Sequence, residues 1–171
     1  MGADGRIVRI VVGVSGSVNS TAALRWAVRE ARLHAAEVWA VHVWSSRLEA
    51  LAPYAPRRGV PSRDQQRELS SALLTSAIRC AAESQGSGGV VRPVLVEGVP
   101  ARVLLGYAAS ANLLVLGRRL GPNPVGGIAL GAVARSCISN SLCPIVTIPA
   151  EKIVADVDTL PSTGRHLCVG Q

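Results

Sequence analysis

The stretch from Asn112 to Pro149, NLLVLGRRLGPNPVGGIALGAVARSCISNSLCPIVTIP, constrains the fold more than any other part of the chain. It opens with the apolar run Leu113 to Leu116 and passes through a loop of glycines and two prolines. It then continues into a segment where Ile128, Leu130, Val133, Ala134, Cys137 and Ile138 recur at helical spacing. A second apolar run, Ile145 to Ile148, closes it. Strand, glycine loop, helix, strand is a unit that sets a helix N-terminus, with free N–H groups and a positive dipole end, beside the carboxyl end of a parallel sheet. Anions bind in such places.

The rest of the chain repeats the alternation. Ile7 to Val14, IVRIVVGV, is rich in β-branched residues and predicts a mostly buried strand that stops at Gly13-Val14-Ser15-Gly16-Ser17. A helix follows, with Ser17, Asn19 and Ser20 as N-cap candidates; Leu24, Ala27, Val28 and Ala31 form its apolar stripe, and Arg25, Arg29, Glu30 and Arg32 face water. Glu37 to Trp44 predicts the second strand. Ser45 to Pro61, with three prolines and little periodicity, predicts a surface loop able to reach over whatever the sheet binds. Ser62 and Gln65 fit a capping box for a long helix carrying Leu69, Leu73, Ala77 and Ala81 on one face, broken at Gly86-Ser87-Gly88-Gly89. Val90 to Val96 predicts the third strand. Pro100 then opens a helix whose apolar face is Val103, Leu104, Tyr107 and Ala108.

Five strands alternating with four helices predict an α/β fold: a Rossmann-like, open, parallel five-stranded sheet with helices on both faces. Residues 1–6 are an N-terminal arm, residues 7–149 one domain, and residues 150–171, aperiodic after Val154, a mobile tail. Apolar residues make up 49% of the 171, yet aromatics are 3% and Phe is absent, so the core is built from Ala, Val, Leu and Ile, which suits a parallel sheet covered by helices. Cys80, Cys137, Cys143 and Cys168 lie far apart with no C-x-x-C, against a zinc site or a secreted disulfide framework. With no signal peptide and no apolar segment near the roughly 20 residues a membrane helix needs, the expected location is the cytoplasm. The net charge of +7 comes almost wholly from arginines, paired only at Arg57-Arg58 and Arg118-Arg119, without the clustering or aromatic interleaving of a nucleic-acid binder. They read as solvated helix faces.

These residues resemble the universal stress protein family over about Ile7 to Pro149. Val12-Gly13-Val14-Ser15-Gly16-Ser17 is similar to the family's V-G-V-D-G-S turn, His42-Val43 to its H-V element, Gly98-Val99-Pro100 to its G-x-P turn, and Cys143-Pro144-Ile145-Val146 to its C-P-V run. Gly117, Gly121 and Gly131 stand where the family's nucleotide signature has its three glycines. The resemblance implies an adenine nucleotide alpha hydrolase-like fold, ATP or AMP as ligand, Mg2+ accompanying ATP, and a homodimer formed through the C-terminal strand. It places Gly13, Val14, Ser15 and Val43 around the adenosine, and Gly117, Arg118, Gly121, Gly131, Ala132 and Val133 around the phosphates. Three departures stand out. Ser15 replaces an aspartate, Gly117 and Gly121 are three residues apart instead of two, and Ala132 replaces a Ser or Thr. Ser15 still hydrogen-bonds without charge, and Ala132 keeps its backbone N–H while losing a phosphate-contacting hydroxyl.

Bland readings run beside these. Gly131 also suits close packing of a helix on the sheet, and Arg118 and Arg119 suit a solvated edge. His42 reads as a hydrogen-bonded core residue, and Trp26, Trp39 and Trp44 as packing residues with their N–H groups near the surface. The G-x-S-x-G spacing of a hydrolase elbow is not met at Gly13 to Gly16. Ser15 to Ser20 resembles the S-G-G-x-D-S loop of the ATP pyrophosphatases imperfectly, without room for their substrate segments. The expectation is therefore a regulatory nucleotide binder in a stress response, with at most slow ATP hydrolysis; the alternative is the same fold with a degenerate pocket, acting as a dimeric interaction module.

Overall fold

The computed structural model describes residues 8–45, 61–83, 90–120 and 128–150. Strands β1 (Arg9–Gly13), β2 (Glu37–Trp44), β3 (Val91–Glu97), β4 (Leu113–Leu120) and β6 (Ile145–Pro149) lie in the order β3-β2-β1-β4-β6, every neighbouring pair parallel. Successive side chains on a strand point to opposite faces, and this sorts the core into two layers. Ile10, Val12, Val14, Val38, Ala40 and Val115 pack under helices α1 (Val18–His34) and α2 (Arg63–Glu83). Val11, Val41, Leu114 and Leu116 pack under α3 (Pro100–Ala108) and α4 (Ala132–Asn140). Burial on both faces explains why the central strands read as nearly continuous apolar runs. Each fully buried Val or Leu there contributes roughly 1.5–3 kcal/mol.

The helix signals hold at atomic detail. Ser17 caps α1, its Oγ accepting from Ser20 N–H at 3.2 Å, and Leu24, Ala27, Val28 and Ala31 are all buried. Ser62 N–H donates to Gln65 Oε1 at 2.8 Å while Gln65 N–H donates to Ser62 Oγ at 3.2 Å, a reciprocal capping box at the start of α2. Pro100 stands in the first turn of α3.

Four expectations are corrected. The buried line of α2 runs through Gln66, Leu74, Ala77 and Ala81, and Leu69 is 64% exposed, because adjacent Leu73 and Leu74 let the apolar phase rotate by one residue. Strand β4 continues through Gly117, Arg118 and Arg119 to Leu120, where the two-residue β5 (Ile128–Ala129) pairs with it antiparallel, so the sheet has a sixth, short strand. Ile128 accordingly belongs to a strand, Leu130 precedes the helix, and Ile138 on α4 is 47% exposed. The Trp39 N–H is buried with no partner among the described residues. At this N-terminal end of the sheet Arg9 and Arg92 stack on the Trp39 ring at 4.0 and 4.8 Å, and Glu37 reaches both guanidinium groups. These two arginines are packing residues as much as solvated ones. The arm at residues 1–6, most of the Ser45 to Pro61 loop, the Gly86 to Gly89 break, Gly121 and the tail beyond Ala150 lie outside the described residues.

Candidate functional site

A cavity of about 410 Å³ opens at the carboxyl ends of β1, β2 and β4. Its walls bring together Gly13, Val14 and Ser15 after β1, Val43 at the end of β2, Gly117 in β4, and Gly131, Ala132 and Val133 at the start of α4. Eight of the ten residues expected at the site therefore meet in one place. Arg118 is not among the lining residues, and Gly121 lies outside the described ones. Sequence reasoning left out Ser17 and Ser20 on α1, Pro100 and Leu104 on α3, and Val41, His42, Leu116 and Ala134. The hydroxyls at the α1 start and the proline opening α3 were available signals. Leu104 and Leu116 reach the cavity only through packing between distant elements.

The α4 end of the cavity is a set of backbone donors. Gly131 caps the helix with φ −65° and ψ 163°, without a side-chain cap, and the first helical bond runs from Arg135 N–H to Gly131 O at 3.0 Å. The N–H groups of Ala132, Val133 and Ala134 therefore have no intrahelical acceptor, and their residues line the cavity at the positive end of the helix. A Cβ placed on Gly131 meets nothing within 4 Å among the described residues. The alternative reading, in which this glycine lets the helix pack close to the sheet, has no contact to support it among the described residues.

Gly117 is the opposite case. A Cβ there would lie 2.5 and 2.6 Å from the Asn19 carbonyl carbon and oxygen and 2.7 Å from Ser20 N, so the first turn of α1 rests directly on the β4 backbone. Asn19 also ties this corner to β6, its Oδ1 accepting from Ala150 N–H at 3.2 Å. Ser15 Oγ lies 3.0 Å from Ser17 Oγ, and Ser20 Oγ donates to Ser17 O at 2.8 Å. The His42 ring is buried with Nδ1 2.8 Å from Val14 O, as a hydrogen-bonded core histidine should be. None of the lining residues is Asp, Glu, Lys or Arg; the electrostatics come from helix ends and peptide groups. On the buried face of α4, desolvation raises the Cys137 thiol above its ordinary pKa.

Fold and cavity together define a doubly wound parallel α/β protein with its pocket at the strand carboxyl ends, beside an uncapped helix N-terminus. The chain belongs to the universal stress protein family, whose family model matches residues 7–149. A universal stress protein of Mycolicibacterium smegmatis is 30% identical over 154 residues, which are 89% of this chain and 51% of that protein. The chain thus spans about half the length of that relative. Among solved structures, a universal stress protein in complex with cAMP superposes with a TM-score of 0.60 at 20% identity, over 85% of this chain and 98% of the other. A universal stress protein family member from Arabidopsis thaliana with AMP bound superposes with a TM-score of 0.53 at 20% identity, over 91% and 97%. At such identities the likeness concerns the fold.

Proposed function

We propose that this chain is a regulatory adenine-nucleotide-binding protein that acts as a homodimer in a stress response, without turnover beyond at most slow ATP hydrolysis. The observation that carries the reading is the α4 N-terminus, where three residues whose backbone N–H groups lack intrahelical acceptors line a cavity and a Cβ on the cap glycine meets nothing within 4 Å among the described residues. The AMP and cAMP held by relatives of the same fold support it. In this reading Gly13, Val14, Ser15 and Val43 surround the adenosine, and Gly131, Ala132 and Val133 the phosphates, with Arg118 and Gly121 as the further phosphate candidates of the sequence. Mg2+ would arrive on ATP, coordinated by its phosphates; no cluster of three or more His, Cys, Asp or Glu able to hold a metal exists among the described residues.

Ser15 and Ala132 weaken the site. One hydrogen bond to a charged group is worth about 1.5–3 kcal/mol, so two losses move a micromolar site toward millimolar. Calorimetry of the wild type against Ser15→Asp with Ala132→Ser tests the reading, together with native mass spectrometry of the purified protein. The double variant is expected to bind AMP or ATP one to several orders of magnitude more tightly by the same rough arithmetic. Neither protein binding an adenine nucleotide at millimolar concentration refutes the reading and favours the dimeric interaction module.

A further inference from the structure

Strand β6 delivers the outgoing chain to the rim of the cavity. Its parallel register sets Ile148 beside Gly117 and Pro149 beside Arg118, so Ala150 leaves at the carboxyl edge of the sheet, where the cavity opens. The Ala150 N–H then donates to Asn19 Oδ1 at 3.2 Å. Asn19 itself adjoins two cavity walls, since its carbonyl rests on Gly117 and Ser20 is the next residue of α1. The residues beyond Ala150 therefore start beside the cavity.

Twenty-one residues follow, EKIVADVDTLPSTGRHLCVGQ, and their composition departs from the rest of the chain. Glu151, Asp156 and Asp158 outnumber Lys152 and Arg165 there, whereas the whole chain carries +7. Ile153, Val154 and Val157 stand between these acids. The cavity has the complementary make-up. Val14, Val41, Val43, Leu104, Leu116 and Val133 give it apolar walls, and no lining residue is Asp or Glu. At the α4 N-terminus Ala132, Val133 and Ala134 carry N–H groups without intrahelical acceptors, which a carboxylate satisfies well. Asp156 lies six residues past Ala150, a reach of about 20 Å at full extension, so it crosses the cavity from the rim with chain to spare.

We propose that residues 151–158 dock back into the cavity of their own chain and that Asp156 or Asp158 caps the α4 N-terminus, which makes this segment a tethered competitor of the ligand's phosphate. The regulatory consequence rests on the reading of the cavity as an adenine-nucleotide site; the docking does not. Attachment at the rim holds the carboxylates at an effective concentration in the millimolar range, so a weak contact is populated without a second molecule. A seat filled in about 70–90% of molecules leaves the remainder open and weakens AMP about three- to tenfold.

The test uses the full chain and two full-length variants. One carries Glu151→Gln, Asp156→Asn and Asp158→Asn; the other carries Val154→Ser and Val157→Ser and keeps every charge. Amide hydrogen exchange without nucleotide reads the seat directly. Ala132, Val133 and Ala134 are expected to exchange at least about threefold faster in both variants, while Val11 and Val115 in the sheet stay unmoved and show the fold intact. In calorimetry both variants are expected to bind AMP more tightly, the acid-free one by about three- to tenfold, and adenosine, which has no phosphate, gains less. Equal exchange of the three α4 amides in all three proteins overturns the proposal, as does an adenosine gain as large as that of AMP. A gain confined to the acid-free variant is an effect of net charge and also overturns it. Protection that fades on dilution puts the segment of a second copy there and overturns the seat within one chain. Faster exchange in both variants, with no AMP binding by any of the three proteins, refutes the nucleotide reading alone and supports the docked segment.

Discussion

Gly131→Asp separates the fold from the site in one substitution. The backbone at position 131 is in the ordinary extended region, φ −65° and ψ 163°, and a Cβ there meets no atom within 4 Å among the described residues, so aspartate enters without backbone strain or a clash with them. As N-cap its carboxylate accepts from Val133 or Ala134 N–H. Exchanging glycine for a good cap is worth a few tenths of a kcal/mol, and a negative charge at a helix N-terminus about 0.3–1 kcal/mol. The sum is a stabilisation of about 0.5–1.5 kcal/mol, and at roughly 2–4 °C per kcal/mol for a domain of this size the melting temperature rises by a few degrees. The same carboxylate consumes donors meant for a phosphate and repels its charge. Losing one charge-assisted hydrogen bond alone weakens AMP by roughly ten- to hundredfold. Thermal unfolding and calorimetry on the same sample read both effects. A melting temperature lowered by many degrees refutes the open space at Gly131, and unchanged AMP affinity refutes the α4 N-terminus as the anion site.

Gly117→Ala should destabilise by about 1–3 kcal/mol or more, because its methyl meets backbone atoms of Asn19 and Ser20 that cannot rotate away; denaturant titration showing less than about 0.5 kcal/mol would contradict this packing. Burial holds the Cys137 thiol protonated past its ordinary pKa of 9.0, so the unfolded thiol ionises first. Its stabilising share is complete below that value and is lost as pH rises from there through the raised pKa of the folded thiol, and Cys137→Ala should flatten the alkaline decline in unfolding free energy relative to wild type. The apolar edge strand β6, with Ile145 to Pro149 only half-buried, should pair with a second copy: light scattering at micromolar concentration is expected to give about twice the chain mass of 17.7 kDa, and a mass that stays monomeric at high concentration overturns the dimer.

Strands, helices and their order were legible because the central strands are apolar on both faces and the first three helices carry start signals, at Ser17, at the Ser62 and Gln65 pair and at Pro100. What periodicity could not settle was phase and length. Leu73 and Leu74 fit two helical faces equally well, and only the packed layer decides that Leu74 is buried and Leu69 is not. Gly117-Arg118-Arg119 has the composition of a turn, yet parallel pairing of Gly117 and Arg118 with Ile148 and Pro149 of β6 carries the strand onward. The cavity walls nearest strand ends, Gly13 to Ser15 and Gly131 to Val133, were legible because topology puts the loops of such a sheet at its carboxyl edge. His42 was legible as a hydrogen-bonded core residue, but its partner, the Val14 carbonyl just past the end of β1, was not.

Gly117 also bears on how motifs of this kind are used. A chain of this fold whose α1 rests on β4 as here needs glycine at that point whether it binds AMP, ATP or nothing at all. Counting it as evidence for a ligand therefore double-counts the fold. Ser15 and Gly131, whose side-chain positions open outward, are free to change with the ligand, and a search for binders among such chains gains discrimination by weighting those two and discarding Gly117.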